Sequence, residues 1–202
     1  MTGGASAGTD PDGIYAYRPV RDANSAHFQF ARLHEYDDGQ AIAHWGTEAR
    51  ADQWEPITVD LIDHDSDGIA LRPARMPYLD IGTLLFDGDD AIDAAARILR
   101  PYGELLPVRT TTGRTDLAVF HAFGLIGWGD EREHLNEFSY GVYLYLSPKD
   151  SNEIRRLGAF RHEIDPYGAL FLSDELVRAL GRAGLIEGTA FRICAPRLDS
   201  CG

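Results

Sequence analysis

The apolar and polar positions of residues 83–108 predict a strand, a helix and a second strand in succession. A short apolar run stops at Asp87, and apolar residues then recur at the spacing of an amphipathic helix, which Gly103 closes. The carboxylate of Asp87 can accept hydrogen bonds from the first amide groups of the helix, so Asp87 is predicted as its N-cap. Glu104 to Val108 then resumes an extended chain.

The same order of positions returns between residues 169 and 196. An apolar run reaches Ser173, a helical pattern follows over residues 174–183, and Gly184 closes it before another apolar strand. A serine directly before an amphipathic helix is explained far better as an N-cap than as a nucleophile. Both units are therefore built for packing, with a cap at each end of each helix.

Alternating apolar and polar residues predict further strands, joined by connections too short for crossover helices. We therefore expect an α+β fold in which an antiparallel or mixed sheet carries two principal amphipathic helices. The predicted strands are residues 13–20, 26–33, 41–45, 57–62, 69–71, 104–109, 116–123 and 140–146.

The length of 202 residues, with 44% hydrophobic residues, suits one folded domain of ordinary composition. Residues 1–12 are small, polar and Gly-rich, which predicts a disordered tail. We expect a single domain over residues 13–196, with a strand-rich part at 13–77 and a C-terminal part at 78–196 that holds both helical units. Residues 197–202 form a second tail.

The chain is strongly acidic, with 32 Asp and Glu residues against 19 Lys and Arg and a net charge of −13. Proteins that bind the phosphate backbone of nucleic acids need Lys and Arg to displace condensed counterions, so no nucleic-acid partner is expected. An acidic surface keeps a protein soluble, and it also speeds the encounter with a basic partner. Charge alone leaves both explanations open.

The N-terminus has neither a basic region nor an apolar stretch, so no signal peptide is predicted. No apolar run approaches the roughly 18 residues of a membrane helix. The two cysteines, Cys194 and Cys201, are too few for a disulfide-built domain or, by themselves, for a zinc site. We expect a cytoplasmic protein that does not bind membranes.

Residues 63–68 read Asp-His-Asp-Ser-Asp-Gly, which resembles the opening of a calcium-binding loop. Such a loop needs a bidentate Glu at its twelfth position, and that position here is Ala74. A turn rich in Asp and Gly explains the segment better, and we expect no metal. The sequence contains no phosphate-binding loop and no motif for a nucleotide cofactor, so no cofactor is expected either.

Residues 124–137 form an irregular segment that is first Gly-rich and then charged. His121 and His134, with the carboxylates between them, could form an acid–base pair there, which would make the protein a small enzyme. The sequence does not show that these groups meet, and we assign no catalytic residue. A third possibility is a peptide-binding or scaffolding module that accepts a strand at the edge formed by residues 140–146.

Both helical units resemble a family of small bacterial immunity proteins found beside polymorphic toxins. The family has a G-E-L-L-P turn after its first helix, and a capped helix, a Gly-Leu exit and a G-x-x-F strand near its C-terminus. The matching residues are Gly103-Glu104-Leu105-Leu106-Pro107, Ser173-Asp174-Glu175-Leu176, Gly184-Leu185 and Gly188-Thr189-Ala190-Phe191, within residues 78–193. These are scaffold motifs, so the resemblance implies a fold and a partner but no catalytic residue.

The resemblance implies a cytosolic inhibitor that binds a cognate toxin and blocks its active site. With a net charge of −13, a basic toxin is the expected partner, because opposite charge steers association. The predicted contact regions are the irregular segment and the Asp-rich turn. The candidate partner-binding residues are Trp128, Asp130, Glu131, Glu133, Asp63, Asp65 and Asp67.

Overall fold

The computed structural model describes residues 16–34, 47–126, 151–162 and 170–194. Both predicted tails and the predicted strands at 41–45 and 140–146 lie outside these ranges. Within them the chain forms eleven strands in two mixed sheets, and three α-helices that pack against the sheets. The predicted α+β class is confirmed, whereas the single sheet of the prediction is replaced by two.

The strands and helices are numbered in the order in which they occur along the described chain. The strands are β1 (Ala16–Val20), β2 (Phe30–Leu33), β3 (Thr58–Ile62), β4 (Tyr78–Leu79), β5 (Leu85–Asp87), β6 (Gly103–Thr110), β7 (Leu117–Ala122), β8 (Gly124–Ile126), β9 (Ala159–His162), β10 (Phe171–Ser173) and β11 (Ala190–Cys194). The helices are α1 (Asp89–Leu99), α2 (Ser151–Leu157) and α3 (Asp174–Arg182), with a short 3₁₀ helix at Ala51–Gln53.

The two sheets each draw strands from both parts of the sequence. The six-stranded sheet has the order β4-β2-β3-β6-β7-β5, and the five-stranded sheet has the order β11-β1-β10-β9-β8. The first strand, β1, pairs antiparallel with β10 and β11, which lie near the end of the chain. The strand-rich part at 13–77 and the C-terminal part at 78–196 are therefore interleaved.

Pairing between the N-terminal strands is only partly antiparallel. Strands β2 and β3 are antiparallel, with Phe30 opposite Ile62 and Leu33 opposite Val59. However, β2 pairs parallel with β4, and β3 pairs parallel with β6. The prediction considered only strands that follow one another in sequence, whereas these parallel partners are separated by other elements.

The start of α1 differs from the prediction at Asp87. The N-cap is Gly88, with a φ of 92° and no side-chain capping hydrogen bond. Asp87 instead ends β5, and its carboxylate forms an ion pair with the guanidinium of Arg114. The cap prediction is wrong because the Asp87 carboxylate is bonded to Arg114, 27 residues away in sequence, instead of to the first amide groups of the helix.

The predicted role of Gly103 is also wrong. Helix α1 ends at Leu99, and Gly103 is the first residue of β6, opposite Ala122 of β7. A Cβ atom at Gly103 would overlap the carbonyl oxygen of His121 and lie 2.7 Å from the ring of Phe120. Glycine is needed here for close approach of two strands, not for helix closure. The G-E-L-L-P residues accordingly form strand, not turn.

The predicted ends of α3 are both present. The Ser173 hydroxyl accepts a hydrogen bond from the backbone N–H of Leu176, with an N–O distance of 3.3 Å. Gly184 follows the helix with a φ of 66°, and its N–H donates to the carbonyl of Gly181. A left-handed residue at this position is typical of a helix exit and favours glycine.

One apolar cluster joins the two sheets. Phe86 and Phe120 from the six-stranded sheet meet Leu172 from the five-stranded sheet, and Leu99 of α1 and Leu180 of α3 complete the contact. All five side chains are almost fully buried. A second cluster covers the other face of β6 and β7, where Trp54 packs and donates its indole N–H to the carbonyl of Pro107.

We expect Gly103→Ala to lower the free energy of unfolding by roughly 3 kcal/mol, because overpacking forces backbone and ring to move. Urea unfolding followed by circular dichroism measures the change. Gly181→Ala, within α3, is the matched control. A Cβ atom at Gly181 would lie 3.5 Å from a side-chain carbon of Ile186, which is an ordinary van der Waals contact. The control should be neutral or stabilising by up to about 1 kcal/mol. Equal stabilities for both variants would contradict the close approach at Gly103.

Candidate functional site

Residues 63–70 form an exposed turn between β3 and β4, which we name the acidic turn. All eight of its residues are exposed. His64 and Ala70 form an antiparallel bridge, and the N–H of Leu71 donates to the carbonyl of Asp63 at 2.7 Å. The turn is therefore a small hairpin with a closed base.

Asp65 holds the tip of the acidic turn in shape. Its Oδ1 accepts hydrogen bonds from the backbone N–H groups of Asp67 at 2.9 Å and Ile69 at 2.8 Å. An Asp that caps its own turn in this way is a common local motif. Among the described residues, no group of three or more His, Cys, Asp or Glu side chains is arranged to hold a metal ion. The hydrogen bonds of Asp65 give this one carboxylate a role in forming the turn.

The acidic turn presents two carboxylates and one large apolar side chain to solvent. Asp63 accepts a hydrogen bond from His64 at 2.7 Å, and this bond lowers the pKa of Asp63. Asp67 is exposed in the same turn. Ile69 is 63% exposed, more than any other large hydrophobic residue in the described part of the chain. The acidic turn thus offers a partner one apolar side chain and two charged ones, and a protein interface combines an apolar centre with a polar rim.

The structure brings Asp63, Asp65 and Asp67 together in the acidic turn. The other predicted partner-binding residues lie outside the described ranges, as does the predicted edge strand at 140–146. Those residues are Trp128, Asp130, Glu131 and Glu133. His134, the second histidine of the enzyme hypothesis, also falls outside them.

His121 occupies a fully buried site on β7 and is bonded to Glu104 of β6. Its Nδ1 lies 3.0 Å from Glu104 Oε1, and its ring meets Phe123 edge to face. Glu104 also accepts hydrogen bonds from the backbone N–H groups of Arg50 at 2.6 Å and Ala51 at 3.3 Å. The pair thereby fastens the 3₁₀ helix to the sheet.

Catalysis by His121 would require contact with a substrate, but its side chain has no exposed surface. Its ring packs edge to face on Phe123, and Glu104 accepts hydrogen bonds from the backbone N–H groups of Arg50 and Ala51. This geometry is that of a buried polar pair that orders a segment.

A pocket of about 330 Å³ lies where the two sheets meet, and we name it the junction pocket. One wall is strand β1 and the other is the chain from β4 into the following turn. The lining residues are Arg18, Pro19, Val20, Tyr78, Asp80, Ile81 and Gly82. Sequence reasoning missed this pocket because its two walls are far apart in the chain.

Besides Arg18 in the lining, Arg21 and Arg32 lie against Phe30 of β2. The guanidinium of Arg21 lies 3.9 Å from the centre of the Phe30 ring, and that of Arg32 lies 5.2 Å from it. Burial and the charge of Arg32 lower the pKa of Arg21. Phe30 is paired with Tyr78 across the β2–β4 ladder. Three arginines within residues 16–34, where Asp22 is the only acidic residue, are the signal that the sequence offered.

The surroundings of Tyr78 and Asp80, on the wall formed by residues 78–82, raise the pKa of both side chains. Burial raises the pKa of Tyr78, and the charge of Asp80 raises it further while Arg18 opposes the change. Burial also raises the pKa of Asp80. A hydrogen bond from the backbone N–H of Leu33 and the positive charge of Arg32 act in the opposite direction and lower that pKa in part. A carboxylate and a phenol in such surroundings gain from a bound hydrogen-bonding partner.

Comparison with known proteins finds no family model and no curated protein sequence that matches this chain. In the described ranges, no helix is long and apolar enough to cross a membrane.

Replacing Glu104 with Ala removes the acceptor shared by His121 and Arg50, so we expect a loss of about 2–3 kcal/mol in the free energy of unfolding. Glu104→Gln keeps one acceptor oxygen and should lose less. Chemical denaturation measures both. Glu48→Ala is the control. Glu48 is exposed and lies two residues before Arg50, so this change should be nearly neutral. A Glu104→Ala variant as stable as the control would contradict the fastening role.

Proposed function

We propose that this protein binds a bacterial toxin domain and neutralises it by covering the toxin's active site. The observation that carries the proposal is the acidic turn, in which Asp63, Asp67 and Ile69 are all exposed. The net charge of −13 supports a basic partner. The capped helix α3 and its glycine exit are among the motifs on which the resemblance to immunity proteins rests.

The acidic turn suits rapid and durable binding for separate physical reasons. Asp63 and Asp67 lie in solvent, where charges act over distance and mainly increase the association rate. Ile69 offers apolar area that a partner can bury, which mainly slows dissociation. The hydrogen bonds of Asp65 already order the turn, so little conformational entropy remains to be lost on binding.

The direct experiment uses the toxin domain that this proposal expects to be encoded beside the gene of this protein. Co-expression should restore the growth of bacteria that produce the toxin domain, and the purified protein should abolish the toxin's activity at equal molar amount. A purified protein that forms no complex with this toxin and leaves its activity unchanged at tenfold excess would refute the proposal.

Neutralising the turn should slow association. We expect the double variant Asp63→Asn with Asp67→Asn to reduce the association rate about tenfold at low salt, with little change in dissociation, as is usual for rim charges. Surface plasmon resonance over a range of salt concentrations measures both rates. Asp65 is left intact because it holds the turn together.

The matched control is Asp89→Asn with Asp93→Asn, which makes the same charge change at exposed positions of α1. Ile69→Ala should instead increase the dissociation rate roughly tenfold, which corresponds to about 1.4 kcal/mol of binding free energy. An equal decrease in association for the α1 control and the turn variant would show that net charge acts without the turn.

A further inference from the structure

We propose that the junction pocket binds a free α-amino acid as its zwitterion. Its lining supplies one cation, Arg18, and one anion, Asp80, with a phenol at Tyr78 and aliphatic groups between them. This proposal is independent of the toxin-binding function, since the acidic turn and the junction pocket have no residue in common.

The size of the pocket sets the size of the ligand. A volume of about 330 Å³ lies at the small end of the range for ligand-binding pockets. Strand β1 forms one wall and the chain at 78–82 forms the other, so both walls belong to ordered elements of the two sheets. A ligand of amino-acid size fits this space, whereas a nucleotide is too large for it.

The charged groups of the pocket face it without pairing with each other. Among the described residues, Arg18 forms no ion pair with Asp80, and its guanidinium and the Tyr78 hydroxyl make no hydrogen bond. Asp80 accepts a hydrogen bond from the backbone N–H of Leu33 and lies near the charge of Arg32, and its carboxylate can accept further hydrogen bonds. Half-buried Arg18 can donate to a ligand carboxylate. The pocket is therefore built to receive polar groups at two ends.

A zwitterion matches both ends, whereas a simple ion matches only one. A carboxylate can accept two hydrogen bonds from the Arg18 guanidinium and one from the Tyr78 hydroxyl. An ammonium group can donate to the Asp80 carboxylate. A dianion such as phosphate would meet Asp80 with like charge, and an amine without a carboxylate would leave Arg18 unpaired.

The surroundings strengthen this match. Pro19, Val20 and Ile81 provide apolar surface for an aliphatic side chain. Arg32 contributes positive charge near Asp80, and with Arg21 it is stacked on Phe30 at the edge of the pocket. Positive potential at the entrance of an otherwise acidic protein attracts the carboxylate end of the ligand.

The test is an NMR titration of the full chain, labelled with ¹⁵N, using the common L-amino acids at millimolar concentration. L-valine is the first probe because the walls are aliphatic. We expect saturable shifts for the amide groups of Arg18, Val20 and residues 78–82. If no L-amino acid shifts these amide groups, or if the saturable shifts lie elsewhere, the proposal is overturned.

Two analogues of L-valine separate the contributions of its charged groups. Isovalerate lacks the ammonium group and isobutylamine lacks the carboxylate, so each should bind at least tenfold more weakly than L-valine. Isovalerate or inorganic phosphate binding as tightly as L-valine would show a plain anion site and overturn the zwitterion proposal.

Variants of the two charged residues complete the test. Arg18→Gln and Asp80→Asn should each weaken L-valine binding at least tenfold, while Arg100→Gln, at an exposed position after α1, should leave it unchanged. The amide spectrum of each variant reports whether it is folded, and Arg18→Lys replaces Arg18→Gln if the latter unfolds. Folded Arg18 and Asp80 variants that bind L-valine as the wild type does would overturn the proposal.

Discussion

The contact between the two sheets is the interaction on which the rest of this structure depends. Phe120 on β7 lies fully buried in the cluster that also holds Leu172 of the other sheet. All six residues of β7 are buried, as expected for a strand that is covered on both faces. Since β1 pairs with β10 and β11, the five-stranded sheet is complete only when the two ends of the described chain have met, whereas residues 30–122 supply all six strands of the other sheet.

This arrangement also places the two candidate sites. The junction pocket is lined by β1 of the five-stranded sheet and by β4 and the following residues of the six-stranded sheet. The acidic turn projects from the chain between β3 and β4, and its base is bonded to the segment before β2. There the N–H of Arg72 donates to the carbonyl of His27 at 2.9 Å, and Arg72 also lies over the Phe28 ring.

The sequence predicted those features whose causes are local. Helix α3 has its serine cap, its apolar face and its glycine exit within a few residues of one another, and the prediction identified all three. Strand β3 was found from its alternation, with Ile57 and Val59 buried as expected. The class of fold followed from such local periodicities, because they determine which face of each element is apolar.

The missed features depend on residues that are distant in sequence. Asp87 is placed to cap α1, but Arg114 pairs with its carboxylate and leaves the cap to Gly88. Gly103 ends a helical pattern, yet its small size is needed because His121 crosses close to it. Likewise, the Glu104–His121 pair and the walls of the junction pocket become neighbours only through the pairing of strands.

The distribution of charge around the two sites has a physical consequence for how each can act. The acidic turn is negatively charged, as is the protein as a whole. Its attraction for a basic macromolecule therefore adds to the attraction exerted by the net charge of the protein, which acts over about a Debye length. The junction pocket lies near three arginines, but the protein as a whole is negatively charged. The long-range field of the whole protein therefore repels a large anionic partner even at this pocket. Short-range pairing with Arg18 and Asp80 must therefore dominate there, and such pairing favours a small ligand that enters the pocket and is desolvated in it.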